Sequence, residues 1–131
     1  EIQEGQVWEA AMYAPHNKVD NLIAAVDYNG AQIDGSTEQV LSLGNLRAKW
    51  EAFGWDVLEV AKGNDMASIV AGLEEAKSHS GKGKPVVILL HTEMGNGVDF
   101  MMGSHKWHGI APNDEQLASA LAQNSETLGD Y

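Results

Sequence analysis

The apolar run PVVILLHT, Pro85–Thr92, is the feature that most constrains the fold of this chain. Its first six residues, Pro85–Leu90, are all apolar and do not alternate with polar ones, which is typical of a strand buried on both faces of a parallel sheet. Two other segments are predicted as strands, Leu22–Asn29 and Trp55–Val60. All three are far shorter than the roughly 20 residues that a membrane-spanning helix needs. We therefore expect a parallel sheet and no membrane-spanning segment.

Helical patterns alternate with these strands along the chain. Apolar residues recur at helical spacing over Glu4–His16, a second helix is predicted to end at Gly54, and a last one covers Asp114–Gln123. Strands that alternate with helices imply right-handed crossovers and a mainly parallel sheet. The predicted fold is an α/β three-layer sandwich that forms one domain over residues 1–131.

A further helix is predicted to follow Asp65, which is a suitable N-cap residue. Its apolar stripe consists of Ile69, Val70, Leu73 and Ala76. The segments Gly30–Ser36 and Gly95–Pro112 are predicted to be loops. A sheet of three strands leaves strand edges and apolar helix faces uncovered, so we expect other protein to complete the fold.

Composition excludes several classes of function. The formal net charge of −11 disfavours nucleic-acid binding, because an acidic chain repels phosphate backbones. If the protein binds a phosphorylated ligand, the cationic groups that hold it are expected mostly outside this segment. The chain has no cysteine, which excludes a disulfide framework, a thiolate metal site and a thiol nucleophile. The absence of cysteine also suits a cytoplasmic location.

Asn29 stands where the first predicted strand ends, in the segment DYNGAQIDG. Ligands of open parallel sheets bind beyond the carboxyl ends of the strands. The amide oxygen of Asn29 is a neutral, hard ligand suited to Mg²⁺, and a sharp turn at Gly30 would bring the Ala31 carbonyl to the same ion. From spacing alone, a simple Asn-Gly turn without a ligand is the favoured interpretation.

Two histidines, His105 and His108, flank Trp107 in the loop after the last predicted strand. Histidine transfers protons near neutral pH and also donates hydrogen bonds to phosphate groups. From spacing alone, two ordinary loop histidines are the favoured interpretation. A zinc site is weakly supported, because only two histidines are local and no cysteine completes the ligand set.

Several segments together resemble the transketolase family. They are Glu4–Gly5, DYNG, IDG, WEAFGWDVLEV, PVVILLHT and WHGIAPN. The similarity covers essentially the whole chain in the right order, and this joint occurrence reverses the interpretations favoured by spacing alone. The chain resembles the carboxy-terminal part of the thiamine-diphosphate-binding domain, in the amino-terminal subunit of a split bacterial enzyme. The family's Gly-Asp-Gly would stand immediately before Glu1, so the chain is expected to be a fragment or to be processed.

The resemblance implies a metal and cofactor site. Asn29 would bind Mg²⁺ (or Ca²⁺) through its side chain, Ala31 would bind the ion through its carbonyl, and Asn29 would also touch the diphosphate. Ile33 would pack on the thiazolium ring of thiamine diphosphate. The loop TEMGNGVDFM departs from the more basic loop that is common in the family. Without the missing aspartate, these ligands form only part of the metal's coordination shell.

The resemblance also implies catalytic contacts. His108 would lie near the diphosphate and the donor sugar, where it binds the substrate or transfers a proton. His105 would be a second substrate-binding histidine of the same loop. Glu4 would meet the catalytic glutamate of a neighbouring subunit, in a network that links two active sites.

The implied activity is transfer of a two-carbon ketol unit from a ketose phosphate to an aldose phosphate. The implied partners are the amino-terminal segment with Gly-Asp-Gly and the pyrimidine-binding subunit, in a dimer of heterodimers or a homo-oligomer. Three alternatives stay open. They are another thiamine-diphosphate enzyme, a transketolase-like enzyme for a sulfonated or branched sugar, and a non-catalytic fragment that kept the fold.

Overall fold

A computed structural model describes residues 1–124, so residues 125–131 of the predicted domain lie outside the described part. The elements in chain order are α1 (Gly5–His16), β1 (Ile23–Asp27), β2 (Ala31–Gln32), β3 (Gly35–Ser36), α2 (Thr37–Val40), α3 (Leu46–Ala52), β4 (Asp56–Val60), α4 (Met66–His79), β5 (Val86–Leu90), a 3₁₀-helix (His105–His108) and α5 (Asp114–Gln123). None of the helices within residues 1–124 is long and apolar enough to cross a membrane.

The main sheet has the strand order β1-β5-β4, and both neighbouring pairs are parallel. Asp27 of β1 and Val60 of β4 both lie opposite Leu90 of β5. The carboxyl ends of the three strands therefore meet at one edge of the sheet. The chain runs from β4 through α4 into β5, which is the crossover that adjacent parallel strands require. The predicted parallel sheet is confirmed.

Helices cover both faces of this sheet, which confirms the predicted three-layer α/β architecture. Val87 and Leu89 of β5 belong to the core cluster that includes α1 and α3, whereas Val86 and Ile88 pack with α4. Each of these four residues is at most 1% exposed. A strand buried on both faces needs apolar side chains at every position, and this requirement explains the unbroken apolar run in the sequence.

The face that α4 turns towards the sheet differs from the predicted one. Its buried residues are Gly72 and Ala76, whereas Val70 is 50% exposed and Leu73 is 41% exposed. A Cβ atom on Gly72 would lie 2.5 Å from Cγ2 of Val60, so the helix approaches β4 too closely for a larger residue. The predicted stripe is therefore wrong at Val70 and Leu73. Their exposure is consistent with a fold that other protein completes.

The N-cap predicted at Asp65 is confirmed. Its carboxylate accepts a hydrogen bond of 2.8 Å from the backbone N–H of Ser68 and one of 2.6 Å from the Ser68 hydroxyl. These hydrogen bonds stabilise the charged carboxylate and lower the pKa of Asp65. The sequence therefore locates the start of α4 correctly, although it misplaces the buried face.

Two predicted loops contain regular structure. The segment Gly30–Ser36 holds the antiparallel pair β2–β3, and Gly95–Pro112 holds the 3₁₀-helix. In the first segment, Gly30 has φ 70° and Gly35 has φ 154°, in backbone conformations that strongly favour glycine. Strands of two residues have no periodicity, so only turn chemistry could have indicated this hairpin. The prediction of plain loops is wrong at these positions.

Candidate functional site

A cavity of about 740 Å³ lies beside β1 and beyond its carboxyl end. Five residues singled out from the sequence line it, namely Asn29, Ala31, Ile33, Glu4 and His108. Within the described residues, β1 has a strand partner on one side only, and the cavity extends along this strand. We call this space the His108 cavity. The loop after β1 and the loop of the 3₁₀-helix therefore converge on one space.

The amide of Asn29 is held at both ends. Its Oδ1 accepts a hydrogen bond of 2.9 Å from the backbone N–H of Ala31, and its Nδ2 donates one of 3.2 Å to Oδ2 of Asp27. These two contacts identify which end of the amide is the oxygen. An amide oxygen has two lone pairs, so one remains for a ligand. The segment is the Asn-Gly turn that spacing favours, and it also presents a hard oxygen ligand.

The hairpin β2–β3 places Ile33 in the cavity wall with 67% of its surface exposed. The base of the hairpin is closed by Thr37, which donates its backbone N–H at 2.9 Å and its hydroxyl at 3.3 Å to the carbonyl oxygen of Gly30. Ile33 thus offers apolar surface to an occupant of the cavity. This position suits the packing role that the resemblance implies, and the role itself stays a prediction.

The two predicted histidines have different positions. His108 lines the cavity, whereas His105 contacts the hairpin, with its Nδ1 2.9 Å from the carbonyl oxygen of Ile33. A carbonyl only accepts hydrogen bonds, so Nδ1 of His105 carries the hydrogen. Trp107, between them, donates its indole N–H to the carbonyl oxygen of Phe100 at 2.9 Å. The substrate contacts predicted for both histidines stay predictions, and His105 has a clear structural contact besides.

Glu4 lines the cavity from the start of α1, where it is the N-cap residue. Its side chain does not cap the helix. It accepts a long hydrogen bond of 3.5 Å from Nε2 of Gln6. The carboxylate therefore has most of its hydrogen-bonding capacity free within the described residues. Its predicted contact with a neighbouring subunit stays a prediction.

A second crevice lies over the ends of β4 and β5 and shares Asn29 with the His108 cavity. His91 in this crevice has its Nε2 3.1 Å from Oε2 of Glu59, and Nη1 of Arg47 lies 3.2 Å from Oε1 of the same carboxylate. The hydrogen bond from His91, followed by that from Arg47, holds the pKa of Glu59 below its ordinary value. The hydrogen bond to Glu59 in turn raises the pKa of Arg47. His91 is thus held within a hydrogen-bonded group.

The loops after β4 and β5 are clamped together by contacts that sequence reasoning missed. Asn64 accepts a hydrogen bond of 2.7 Å from the backbone N–H of Glu93 and donates one of 3.5 Å to the Glu93 carbonyl. The N–H of Gly63 donates to the carbonyl oxygen of His91 at 2.8 Å. A Cβ atom on Gly63 would lie 2.6 Å from this oxygen, so glycine is required there. No periodicity predicts such contacts, because they join distant parts of the sequence.

A match to a family model identifies the family of this chain. The family model described as "Transketolase, thiamine diphosphate binding domain" matches residues 1–126. The chain belongs to this transketolase family. The family resemblance stated from the sequence is thereby confirmed.

Two curated relatives are single subunits of transketolases. The chain is 42% identical to one subunit of the apulose-4-phosphate transketolase of Phocaeicola vulgatus, over 95% of this chain and 43% of that protein. It is also 42% identical to the 6-deoxy-6-sulfo-D-fructose transketolase subunit SqwG of a Clostridium species, over 94% of this chain and 44% of that protein. The transketolase chain therefore spans less than half the length of these relatives. Their names support the predicted resemblance to a split enzyme.

A solved transketolase has the same fold. It comes from Pichia stipitis in complex with sedoheptulose-7-phosphate, and it aligns with a TM-score of 0.84 and 32% identity over 93% of this chain and 18% of that one. The predicted α/β class is confirmed by this likeness together with the described sheet.

The cavity wall fits part of a site for thiamine diphosphate and its metal ion. Among residues 1–124, two buried donors have no hydrogen-bond partner, Nε2 of Gln32 and Nε1 of Trp50, and both residues line the cavity. An unsatisfied buried donor is costly, so an acceptor oxygen from an occupant or from further protein is expected beside these two atoms. For a metal ion, Asn29 supplies a free lone pair, but no group of three or more His, Asp or Glu in the described part could hold an ion. Residues 1–124 therefore supply only part of a metal coordination shell.

Proposed function

We propose that this chain forms part of the active site of a transketolase, which transfers a two-carbon ketol unit from a ketose phosphate to an aldose phosphate. The observation that carries this proposal is the convergence of Asn29, Ile33 and His108 on one cavity from separate loops. The chain covers 43% and 44% of its two subunit relatives, so the activity is proposed for the complete enzyme.

Asn29 and Ala31 are proposed to bind Mg²⁺ (or Ca²⁺) through the amide oxygen and the backbone carbonyl. Both residues line the His108 cavity, and the Asn29 oxygen keeps one lone pair free after its bond to Ala31. Magnesium prefers six oxygen ligands in octahedral geometry and commonly bridges to phosphate oxygens. The remaining ligands are therefore proposed to come from the diphosphate and from protein outside this chain, including the aspartate of a Gly-Asp-Gly segment.

The other residues are proposed to position the reactants. Bound thiamine diphosphate supplies the electron sink that the ketol transfer needs. Ile33 supports the cofactor ring through apolar contact, because its exposed side chain lies in the cavity wall. His108 donates a hydrogen bond to the donor sugar or accepts a proton from it. Glu4 shares a hydrogen bond with a glutamate of a neighbouring subunit, for which one of the two carboxyl groups carries a proton, since its side chain makes only one long hydrogen bond among residues 1–124.

The complete enzyme is proposed to contain two further parts, an amino-terminal segment with Gly-Asp-Gly and a pyrimidine-binding subunit, in an oligomer that binds sugar phosphates. The edge of β1 that has no strand partner among residues 1–124 and the exposed Val70 and Leu73 of α4 support the presence of additional protein. The subunit names of both curated relatives support a split enzyme.

A second candidate is a transketolase whose donor is a branched or sulfonated sugar. Two relatives with 42% identity are named for apulose-4-phosphate and 6-deoxy-6-sulfo-D-fructose, whereas the transketolase solved with sedoheptulose-7-phosphate is 32% identical. The higher sequence identity to the two relatives named for unusual sugars favours these sugars as the donors to test first.

The experiment is a donor screen with the complete enzyme, supplied with thiamine diphosphate and Mg²⁺ and one aldose phosphate acceptor. The donors are sedoheptulose 7-phosphate, apulose 4-phosphate and 6-deoxy-6-sulfofructose, and mass spectrometry detects the carbonyl product that is two carbons shorter than the donor, an aldose from an unbranched donor and a ketone from a branched one. Turnover of any donor, dependent on the cofactor, supports ketol transfer, and the preferred donor distinguishes the two candidates. An enzyme that neither binds the cofactor nor turns over any donor would contradict both and favour a non-catalytic fragment.

A further inference from the structure

Asp27, the last residue of β1, joins two loops at the edge of the His108 cavity. Its Oδ2 accepts the hydrogen bond of 3.2 Å from Nδ2 of Asn29, and its Oδ1 accepts one from the hydroxyl of Thr92. Each carboxylate oxygen therefore serves a different loop. Thr92 belongs to the segment that follows β5, the central strand of the sheet.

The sheet gives this junction a rigid base. Asp27 lies opposite Leu90 in the parallel pairing of β1 with β5, and the next residue, Tyr28, donates its N–H to the Leu90 carbonyl at 2.9 Å. The preceding residue of β5, Leu89, is 1% exposed. A carboxylate fixed at the end of such a strand holds its partners in place better than one on a mobile loop.

The contact with Asp27 determines the orientation of the Asn29 amide. A carboxylate only accepts hydrogen bonds, so it selects the NH₂ end of the amide and turns the oxygen away. The backbone N–H of Ala31 selects the oxygen end from the other side. Without Asp27, only one of the two contacts that prevent rotation of the amide remains.

We propose that Asp27 is a positioning residue, which holds the Asn29 oxygen in the orientation that binds the metal ion of the cofactor site. This inference rests on the proposed function, because it assumes that Asn29 is a metal ligand. Outer partners that orient a metal ligand typically contribute 10- to 100-fold in metal affinity. Thr92 supports the same orientation indirectly, by fixing the other carboxylate oxygen of Asp27.

The geometry separates this role from direct metal binding. Both oxygens of Asp27 already accept a hydrogen bond from a neighbouring loop. Asparagine at this position would keep the size of the side chain and could still accept from Asn29 through its own amide oxygen, while its NH₂ donates to the Thr92 hydroxyl. A positioning role therefore tolerates Asp27→Asn, whereas a role as a charged ligand does not.

The test measures metal binding in the complete enzyme, with Mg²⁺ and thiamine diphosphate followed by calorimetry and with Mn²⁺ followed by electron paramagnetic resonance. Asp27→Ala is expected to raise the apparent dissociation constant of the metal about 10-fold. Asp27→Asn is expected to restore most of this loss, and Thr92→Val to cause a smaller one. Glu75→Gln, on the exposed face of α4, serves as the matched control and should leave the constant unchanged.

The outcomes distinguish the positioning role from the function on which it rests. If Asn29→Ala weakens metal binding but Asp27→Ala does not, the positioning role is wrong and the metal site stands. If Asp27→Asn is as weak as Asp27→Ala, Asp27 acts through its charge, as a direct ligand would, and the positioning role is again wrong. If neither wild type nor any variant binds the metal, the proposed function and this inference fail together. Circular dichroism of each variant separates a binding defect from misfolding.

Discussion

The Nδ1 atom of His105 lies 2.9 Å from the carbonyl oxygen of Ile33. This contact joins the start of the 3₁₀-helix to the hairpin that carries Ile33 in the cavity wall. The two segments come from different ends of the chain, 72 positions apart. One hydrogen bond therefore connects the wall that carries the predicted metal ligands to the segment that carries His108.

Replacing His105 should loosen this connection. His105→Ala is expected to weaken thiamine diphosphate binding about two- to ten-fold, which corresponds to about 0.5–1.5 kcal/mol for one hydrogen bond. His105→Asn should restore the affinity, because its amide NH₂ can donate to the Ile33 carbonyl from a similar position. The measurement is a calorimetric titration of the complete enzyme with the cofactor at saturating Mg²⁺.

The same two variants separate positioning from substrate binding. If His105 instead contacts the sugar directly, both variants should raise the KM for the donor while cofactor affinity stays at the wild-type value. That result would contradict the positioning role and support the substrate contact predicted from the sequence.

His108 should act on turnover more than on cofactor affinity. His108→Ala is expected to lower kcat about 100-fold or more, as is typical for the loss of a proton-transferring or substrate-binding histidine. The dissociation constant of thiamine diphosphate should stay close to that of the wild type, because the metal ligands and Ile33 are unchanged. His16→Ala is the control, since His16 is exposed at the end of α1. Equal steady-state rates for His108→Ala and wild type would contradict the assignment.

The sequence predicts the parts of this fold that depend on local pattern. The run Pro85–Thr92 indicates a fully buried strand, because its apolar residues leave no polar face. Asp65 indicates the start of a helix through its cap, and Asn29 follows from the polar residues that end β1. Each of these signals acts over a few neighbouring residues, so it can be recognised without knowledge of the tertiary structure.

The rest depends on contacts between distant residues. The hydrogen bond from Thr92 to Asp27 spans 65 positions, and no pattern in either segment predicts it. The buried face of α4 is chosen by the close approach of Gly72 to Val60, which overrides the apolar residues at Val70 and Leu73. The role inferred for Asp27 had one local signal, since Asp27 stands two positions before Asn29 in DYNG.

Two tryptophans in the same core cluster should respond differently to the same substitution. Trp55 donates its indole N–H to the carbonyl oxygen of Ala11 at 2.8 Å, whereas the indole N–H of Trp50 is buried without a partner among residues 1–124. Trp55→Phe leaves a buried carbonyl without its donor, a loss of about 1–3 kcal/mol. Trp50→Phe removes only an unsatisfied donor and some ring volume. Trp55→Phe should therefore be the more destabilising change in urea unfolding of the complete enzyme.

The stability of Trp50→Phe also shows whether the indole N–H of Trp50 finds an acceptor in the complete enzyme. Both substitutions replace tryptophan by phenylalanine, so they remove the same ring volume. The two rings are in contact in one core, with centroids 4.8 Å apart, so this loss occurs in a similar environment. Equal destabilisation would mean that the indole N–H of Trp50 has an acceptor in the remaining protein. A cost for Trp50→Phe that appears only after thiamine diphosphate is added would instead indicate an acceptor in the bound cofactor.

The hydrogen bonds of Glu59 should make stability depend on pH. His91 first, and Arg47 second, lower the pKa of Glu59 from its ordinary value of 4.5, so the folded chain binds this proton less readily than the unfolded chain. The resulting stabilisation is present above about pH 4.5 and is lost as the pH falls through the lower pKa of the folded state. The side chain is 37% exposed, so solvent screening keeps the effect below about 1 kcal/mol. Glu59→Gln should therefore be less stable than wild type in urea at pH 7, and the difference should shrink only as the pH falls below about 4.5. Glu75→Gln should show no such trend, and a difference for Glu59→Gln that grows as the pH falls below 4.5 would contradict the assignment.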